Sequence, residues 1–433
     1  MKSLSRFSAT ILYGTASLLF CCQSCSDDKS EALPAIVEKT YSSSTLDLSY
    51  CGEAMPGKGA TLTPDAGNPS NAKIHLFGSL DLSLLGIDGI SGEVPTCGVL
   101  PGSPATDLSV TLAPGDGCYT FSGNGKSDYC TYSYAGSITS DKLTVAFSDV
   151  LLDDQSLAGT VLAPTPLEGS LLSGYDSSPV YVDWQIDPSA GIDINLSDIL
   201  SAVATMPLIP VYNGTAYMSV AQALTSTLQT VALLPDGNIV LRYYASTEGA
   251  TQLYTSVGNT LQYLPVKPGS MLVYPNPMAV YARWLVLQSG SHIVTEGDFR
   301  TAPPSPALAA SGLTALTDEE KETLKAALLP VLLDVAKEFV PMLSTGIPLC
   351  YMPTTTGMNI YIDTPVAIGI MQKVAQGVMS SPEALAILKK LLASYPALKD
   401  SAPLLDKLLQ QLPAILQSTT TFRLGLSFTK VAD

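Results

Sequence analysis

The sequence predicts a mainly β chain with α-helices. An N-terminal antiparallel β-barrel or sandwich is followed by an α+β domain built on duplicated hairpin-helix units. Three observations carry that reading: short runs of period-two alternation across residues 40–165, a hairpin pattern that recurs 88 residues later, and leucine stripes at helical spacing after residue 317. A length of 433 residues calls for two or three domains. A hydrophobic fraction of 46% against 14% charged residues is apolar enough for packed cores.

The N-terminus reads as a targeting segment. Lys2 and Arg6 form a positive start, and Ile11 to Cys22 is an apolar stretch of 12 residues broken only by Gly14, Thr15 and Ser17. That length suits a signal-peptide core and is too short to span a bilayer. Gln23-Ser24-Cys25-Ser26-Asp27-Asp28 follows. A cysteine directly after a small residue resembles a bacterial lipoprotein cleavage site, which implies lipidation at Cys25 after removal of residues 1–25. Cys21 and Cys22 fit less well, because Phe20 or Cys21 would stand where a small residue is wanted. Cys22 also stands where the usual motif has leucine. The acidic tail resembles the surface-export signal of Bacteroidota lipoproteins, so residues 26–39 are expected to be an acidic tether. The alternative is a plain secretory signal with incidental cysteines. The expected location is the outer membrane, lipid-anchored and facing the cell exterior.

Residues 40–165 alternate in runs such as Thr45–Tyr50, Lys73–Phe77, Asp107–Leu112, Cys118–Ser122 and Lys142–Asp149. Alternation buries one face of a strand and wets the other. Asp116-Gly117 and Gly123-Asn124-Gly125 offer turn chemistry between runs. About eight runs reach to Leu162, enough to close a small up-and-down barrel. This segment, with the phrase Leu46-Asp-Leu-Ser-Tyr-Cys-Gly-Glu-Ala-Met-Pro56, resembles the calycin-like (lipocalin-like) β domains of Bacteroidota surface lipoproteins. The resemblance implies a β-barrel and names no ligand.

Beyond the signal region remain Cys51, Cys97, Cys118, Cys130 and Cys350. Cys118 and Cys130 lie symmetrically about Asn124, so a hairpin turning there would set them opposite one another as a disulfide. Two half-buried thiols are the equal alternative.

Past Gly174 the pattern changes. Val180–Ile186 is an alternating strand, 196–231 is helical in part, and Asp236-Gly237 opens the strand Ile239–Tyr244. Leu261, Tyr263, Pro265, Gly269 and Pro277 are matched by Leu349, Tyr351, Pro353, Gly357 and Pro365. That is the expected repeat of a hairpin running into a helix, closed at the end by Phe422–Phe428. The second domain is expected to span 175–433, across the proline-rich stretch 301–306. Its Leu-rich helices are placed at about 317–342, 365–378, 382–394 and 402–417, the first opened by a capping box at Thr317 and Glu320. Pro330 is expected to kink that helix and Pro341 to end it.

The chemistry is sparse. A net charge of −16 disfavours nucleic acid as a partner. Acidity is concentrated in residues 26–310, and Lys142 to Arg242 encloses no basic residue. No nucleophile elbow, zinc-protease helix, phosphate loop or dinucleotide fingerprint occurs, and no cofactor is implied. His75 and His292 are the only histidines, both expected at the surface. Asp187, Asp193, Asn195 and Asp198 form a weak oxygen-ligand run that departs from a calcium loop, and a loop solvating its own charge is the better reading. Tyr181, Trp184, Tyr243, Tyr263, Tyr274, Trp284 and Tyr351 stand out as ligand-contact candidates, since such rings stack on sugars while keeping a polar handle. Strand packing is their alternative role. The expectation is a non-enzymatic binding protein for an apolar or amphipathic small molecule or a glycan, held between the second sheet and the helices. The alternative is a structural or adhesive surface module that binds another protein.

Overall fold

The computed structural model describes residues 33–431 apart from 86–90, 171–173, 192–194, 206–208, 212–215, 248–249, 257, 281–316 and 394–410. The signal segment, Cys25 and the proline-rich stretch lie outside the described residues. The chain divides into two compact units, Met1–Gly78 with Gly98–Leu151, and Ser79–Cys97 with Leu152–Asp433.

The strands of the first unit are β1 (Lys39–Ser42), β2 (Leu46–Tyr50), β3 (Glu53–Ala54), β4 (Lys58–Pro64) and β5 (Asn71–Asp81), which runs on past Gly78. After β6 (Glu93–Thr96), which belongs to the second unit, come β7 (Ala105–Thr111), β8 (Ala113–Pro114), β9 (Tyr119–Lys126), β10 (Cys130–Ile138) and β11 (Leu143–Leu152). Alternation decides their faces: Ala72, Ile74 and Leu76 of β5 and Leu108 and Val110 of β7 are buried between exposed neighbours. With Tyr50, Leu62, Leu143 and Phe147 they form the core. Burying these side chains supplies most of the driving force, at roughly 25 cal/mol per Å² of apolar surface.

The expected closed barrel is not what forms. One sheet carries β1, β4, β5 and β7, and the other runs β3-β2-β11-β10-β9-β8. Both are open. β2 and β11 pair in parallel, Leu46 with Leu143 through Tyr50 with Phe147. An up-and-down barrel has only antiparallel neighbours, so this pair breaks that topology. The run at Val161–Leu162 belongs to the second unit instead of completing the first.

The Cys118–Cys130 disulfide is also corrected. β9 continues straight through Asn124, which pairs with Ser133, and Lys126 pairs with Thr131. The turn lies at Ser127–Tyr129, where the Ser127 hydroxyl accepts from the Tyr129 and Cys130 N–H groups at 3.2 and 3.1 Å. Gly123 and Gly125 serve a different purpose: the rings of Tyr134 and Tyr132 lie where their Cβ atoms would be. Cys118 and Cys130 therefore sit toward opposite ends of the hairpin and are not bonded to one another.

The second unit is a ten-stranded sheet. Its strands are β12 (Val161–Pro164), β15 (Val180–Ile186), β18 (Leu228–Leu233), β19 (Ile239–Thr247), β20 (Ala250–Thr255), β21 (Leu261–Lys267), β22 (Ser270–Pro275), β23 (Ile347–Pro353), β24 (Gly357–Ile362) and β25 (Thr419–Lys430). Two small ribbons, β13 (Glu168–Ser170) with β14 (Gly174–Ser177) and β16 (Ile209–Val211) with β17 (Ala216–Met218), stand apart. The order is β20-β19-β18-β12-β25-β24-β23-β22-β21, with β15 also on β25. Among the described residues β21 meets the β19 end of this path at a single bridge, Asn238 to Gln262.

The duplicated hairpins are adjacent, β22 pairing with β23, so one sheet continues across the proline-rich stretch. Each is followed by helical residues, 277–280 after the first and a helix from Thr364 after the second. The matched glycines differ in role. Gly269 takes φ +80°, whereas Gly357 lies against the backbone of Phe428, on the neighbouring strand β25.

The helices are α1 (Leu196–Thr205), α2 (Val220–Thr227), α3 (Asp318–Phe339), α4 (Met342–Thr345), α5 (Thr364–Met379) and α6 (Pro382–Ala393), with residues 411–418 also helical. Thr317 and Glu320 form the expected capping box of α3, which contains Pro330 and ends before Pro341. Lys390 of α6 and Lys373 of α5 reach Glu320 and Glu338 of α3 at 2.8 and 2.5 Å. No described helix is long and apolar enough to cross a membrane.

Candidate functional site

Where the described helices meet the second sheet, apolar side chains pack together. Trp184, Leu196, Ala367, Ala375, Ile415, Leu416 and Phe422 form one buried cluster, with Ile362, Met371 and Leu412 against it. Trp184 is 8% exposed, lies 4.7 Å from the Phe422 ring and donates its indole N–H to the Thr419 hydroxyl at 2.9 Å. It is a core residue.

The opposite face of the same strands carries polar chemistry. Alternation along β15 sets Tyr181 and Asp183 on the face away from Trp184. On β25, Arg423 and Gly425 share that face, and on β24 Tyr361 does, with Asp363 just beyond the strand. The register aligns them in two rows: Asp183 pairs with Arg423, and Tyr181 and Tyr361 both pair with Gly425. Cys350 of β23 extends the second row opposite Tyr361.

Arg423 is the centre of the cluster. Its Nη1 donates to Asp183 Oδ2 at 3.2 Å and its Nε to Asp363 Oδ1 at 3.1 Å. The guanidinium lies over the Tyr361 ring, 5.4 Å from its centroid, a cation–π arrangement. The Tyr181 ring approaches Tyr361 at 5.4 Å with planes at 49°. Tyr361 is a buried floor, while Tyr181 is half-buried and Arg423, Asp183 and Asp363 remain 34%, 21% and 39% exposed. Gly425 is required between the tyrosines, because a Cβ there would meet the Ile360 carbonyl and lie 2.5 Å from Tyr361 Cα.

Burial works to raise the Asp363 carboxyl, but hydrogen bonds from the Thr364 N–H and Arg423, with the guanidinium charge, hold it below the usual carboxylate range. Its hydrogen bond to Asp363 in turn raises Arg423. Burial pushes up the phenols of Tyr181 and Tyr361 and the Cys350 thiol. At neutral pH the cluster is two carboxylates, one guanidinium and neutral phenols and thiol. It is an array of hydroxyl-sized donors and acceptors beside one accessible aromatic ring.

Of the tyrosines and tryptophans singled out from the sequence, the structure brings only Tyr181 to this face. Tyr263 is fully buried with its hydroxyl on the Leu234 carbonyl at 2.9 Å, and burial raises its phenol. Tyr274 is 4% exposed and also core. Tyr243 stacks on Tyr254 at 5.9 Å on β19 and β20, separated from β25 by β18 and β12. Tyr351 follows Cys350 and therefore points to the other face of β23. Trp284 lies outside the described residues. Arg423, Asp183, Asp363 and Tyr361 were missed. The one available signal was a lone arginine in an otherwise uncharged stretch, Phe422–Phe428.

The weak metal run is divided by the structure into two caps. Asp187 accepts from the Ser189 N–H at 2.8 Å, and Asn195 accepts from the Asp198 N–H while donating to its carboxylate. Asp193 lies outside the described residues. Among the described residues no group of three or more His, Cys, Asp or Glu side chains is placed to hold a metal.

The first unit offers a shallow groove of about 340 Å³ lined by Thr63, Asp65, Asn71, Lys73, Ser109 and Thr111. Beside it His75 Nδ1 meets Asp107 at 2.7 Å and Lys73 meets the same carboxylate at 2.9 Å. These side chains are about half exposed, and the Lys73 and His75 hydrogen bonds lower Asp107.

Comparison of the chain with protein families, curated proteins and solved structures finds no match in any of the three.

Proposed function

We propose that this chain is a lipid-anchored outer-membrane surface protein that binds a glycan, without transforming it, on the Tyr181–Arg423–Asp363 face. The observation that carries the binding reading is Arg423, held over Tyr361 between Asp183 and Asp363 beside a half-buried tyrosine. Saccharides are held by such sets, in which planar polar groups meet paired hydroxyls and an aromatic ring meets the C–H face. An apolar ligand is less well served, since the helices' apolar faces pack on Trp184 and Phe422. Neither carboxylate is assigned acid–base work, because Arg423 bonds both.

The export reading rests on the signal-like residues 1–25, Cys25 after Ser24 and the acidic Ser26-Asp27-Asp28. Fatty-acid labelling tests the anchor: label is expected on the wild-type chain and absent from Cys25→Ala. Label on both, or on neither, overturns it. For the ligand, native mass spectrometry after exposure to glycan extracts is expected to show bound saccharide, lost in Tyr181→Ala. Consistently empty protein sinks the binding reading. A protein partner is the second reading, favoured by Tyr181 and Arg423, residue types that anchor interfaces, and by exposed Met352 on the same face.

A further inference from the structure

Resting on that glycan reading, we infer that the face formed by Tyr181, Asp183, Asp363 and Arg423 selects an uncharged saccharide and turns away acidic ones such as uronates and sulfated sugars. Charge accounting within the cluster carries this. Arg423 is the one cation among these four residues, and its N–H groups serve Asp183 and Asp363, with Tyr181 as a further hydrogen-bond partner. Two carboxylates against one guanidinium leave these four residues net negative, and Lys267 stands further along the same row, beyond Ser270 and Cys350. A sugar carboxylate would have to displace Asp183 or Asp363 from the guanidinium, stranding a partly buried anion, or approach with a like charge on either side. A neutral hydroxyl does neither. It donates to the remaining lone pairs of the carboxylates and accepts from a guanidinium N–H that is not committed to Asp183 or Asp363.

The surrounding chain reinforces the choice. Asp183 lies in the span from Lys142 to Arg242 that encloses no basic residue but ten acidic ones. The whole chain carries a net charge of −16. Long-range repulsion therefore acts in the same direction as the local one, but unlike it is screened by salt.

Affinity electrophoresis of the full-length chain tests the inference. Native gels are cast with uncharged polymers (amylopectin, glucomannan, galactan, highly methyl-esterified pectin) or acidic ones (polygalacturonate, alginate, heparin). The pectin and polygalacturonate share a backbone and differ in charge. Retardation by at least one uncharged polymer and by none of the acidic ones is expected. Tyr181→Ala and Asp363→Asn should each weaken it at least tenfold, with a single sharp band in plain gels as the folding control, shifted in Asp363→Asn only as much as in Asp128→Asn, which loses the same charge. Asp128→Asn, which removes one exposed charge in the first unit, should leave retardation unchanged. An acidic polymer bound through Tyr181 and Asp363 overturns the inference and leaves the glycan reading standing. No retardation by any polymer overturns both. Retardation that neither site variant weakens overturns the placement on this face.

Discussion

Replacing Arg423 with methionine is the sharpest probe of the cluster, because it keeps most of the volume over Tyr361 and removes the charge. Asp183 and Asp363 then flank β25 with no cation between them. Hydrogen bonds to charged groups are worth about 1.5–3 kcal/mol each. Two are lost, but all three side chains are partly exposed, and solvent screening reduces the value of such pairs. The expected cost is therefore about 2–3 kcal/mol at neutral pH. Its pH dependence follows from Asp363, whose carboxyl is held low in the folded chain. A depressed carboxylate contributes fully above its unfolded pKa of about 4 and loses that contribution as the pH falls through the folded-state value. The gap between wild type and Arg423→Met should thus shrink as the pH falls below about 4. Urea unfolding read by Trp184 fluorescence, in a Trp284→Phe background, measures it next to the site. A loss under about 0.5 kcal/mol at pH 7, or one that grows toward about pH 3, would refute the reasoning.

Four further outcomes are expected. Trp184→Ala should cost about 3–5 kcal/mol in urea unfolding followed by far-ultraviolet circular dichroism, because it empties the helix–sheet cluster, whereas Tyr181→Ala should cost about 1 kcal/mol or less in the same measurement. Equal losses would mean that Tyr181 is also core. Gly425→Ala forces β24 and β25 apart and should cost about 1–3 kcal/mol or more, with faster amide exchange at Tyr361 and Leu426; unchanged exchange would contradict the close approach. In the denatured, unreduced chain iodoacetamide should label both Cys118 and Cys130, and protection of the pair would restore the disulfide. Thr317→Ala should remove about 1 kcal/mol from the first turn of α3, seen as faster exchange at Glu320.

Much of the fold was legible because burial on one face leaves a period in the sequence. Lys73–Phe77 and Asp107–Leu112 alternate visibly, since one face of each strand packs into the core and the other meets water. The hairpins at Leu261 and Leu349 were legible for a different reason, as proline and glycine punctuate turns and helix starts wherever they occur. What failed was long-range or competitive. Nothing local in Leu46–Tyr50 announces a parallel partner beginning at Leu143. Gly123-Asn124-Gly125 has turn chemistry, but the two tyrosine rings of β10 needed those glycines flat, and Ser127 offered the backbone a better turn.

The candidate site shows the same division at finer grain. Tyr181 could be picked out by residue type, yet so could Trp184, three positions on, and alternation sends them to opposite faces with opposite fates. The deciding residues, Arg423, Asp363 and Tyr361, come from segments more than 170 positions from Asp183. They meet only because β25 pairs with β15 on one edge and β24 on the other, in a register that sets Asp183 beside Arg423 and both tyrosines beside Gly425. A slip of one residue in either pairing would turn Asp183 or Tyr361 toward the helices and Trp184 or Ile362 outward. The apolar cluster around Trp184 and Phe422 therefore fixes the register that assembles the polar face behind it. Core variants that leave the fold intact but loosen that register should impair binding without touching a ligand contact.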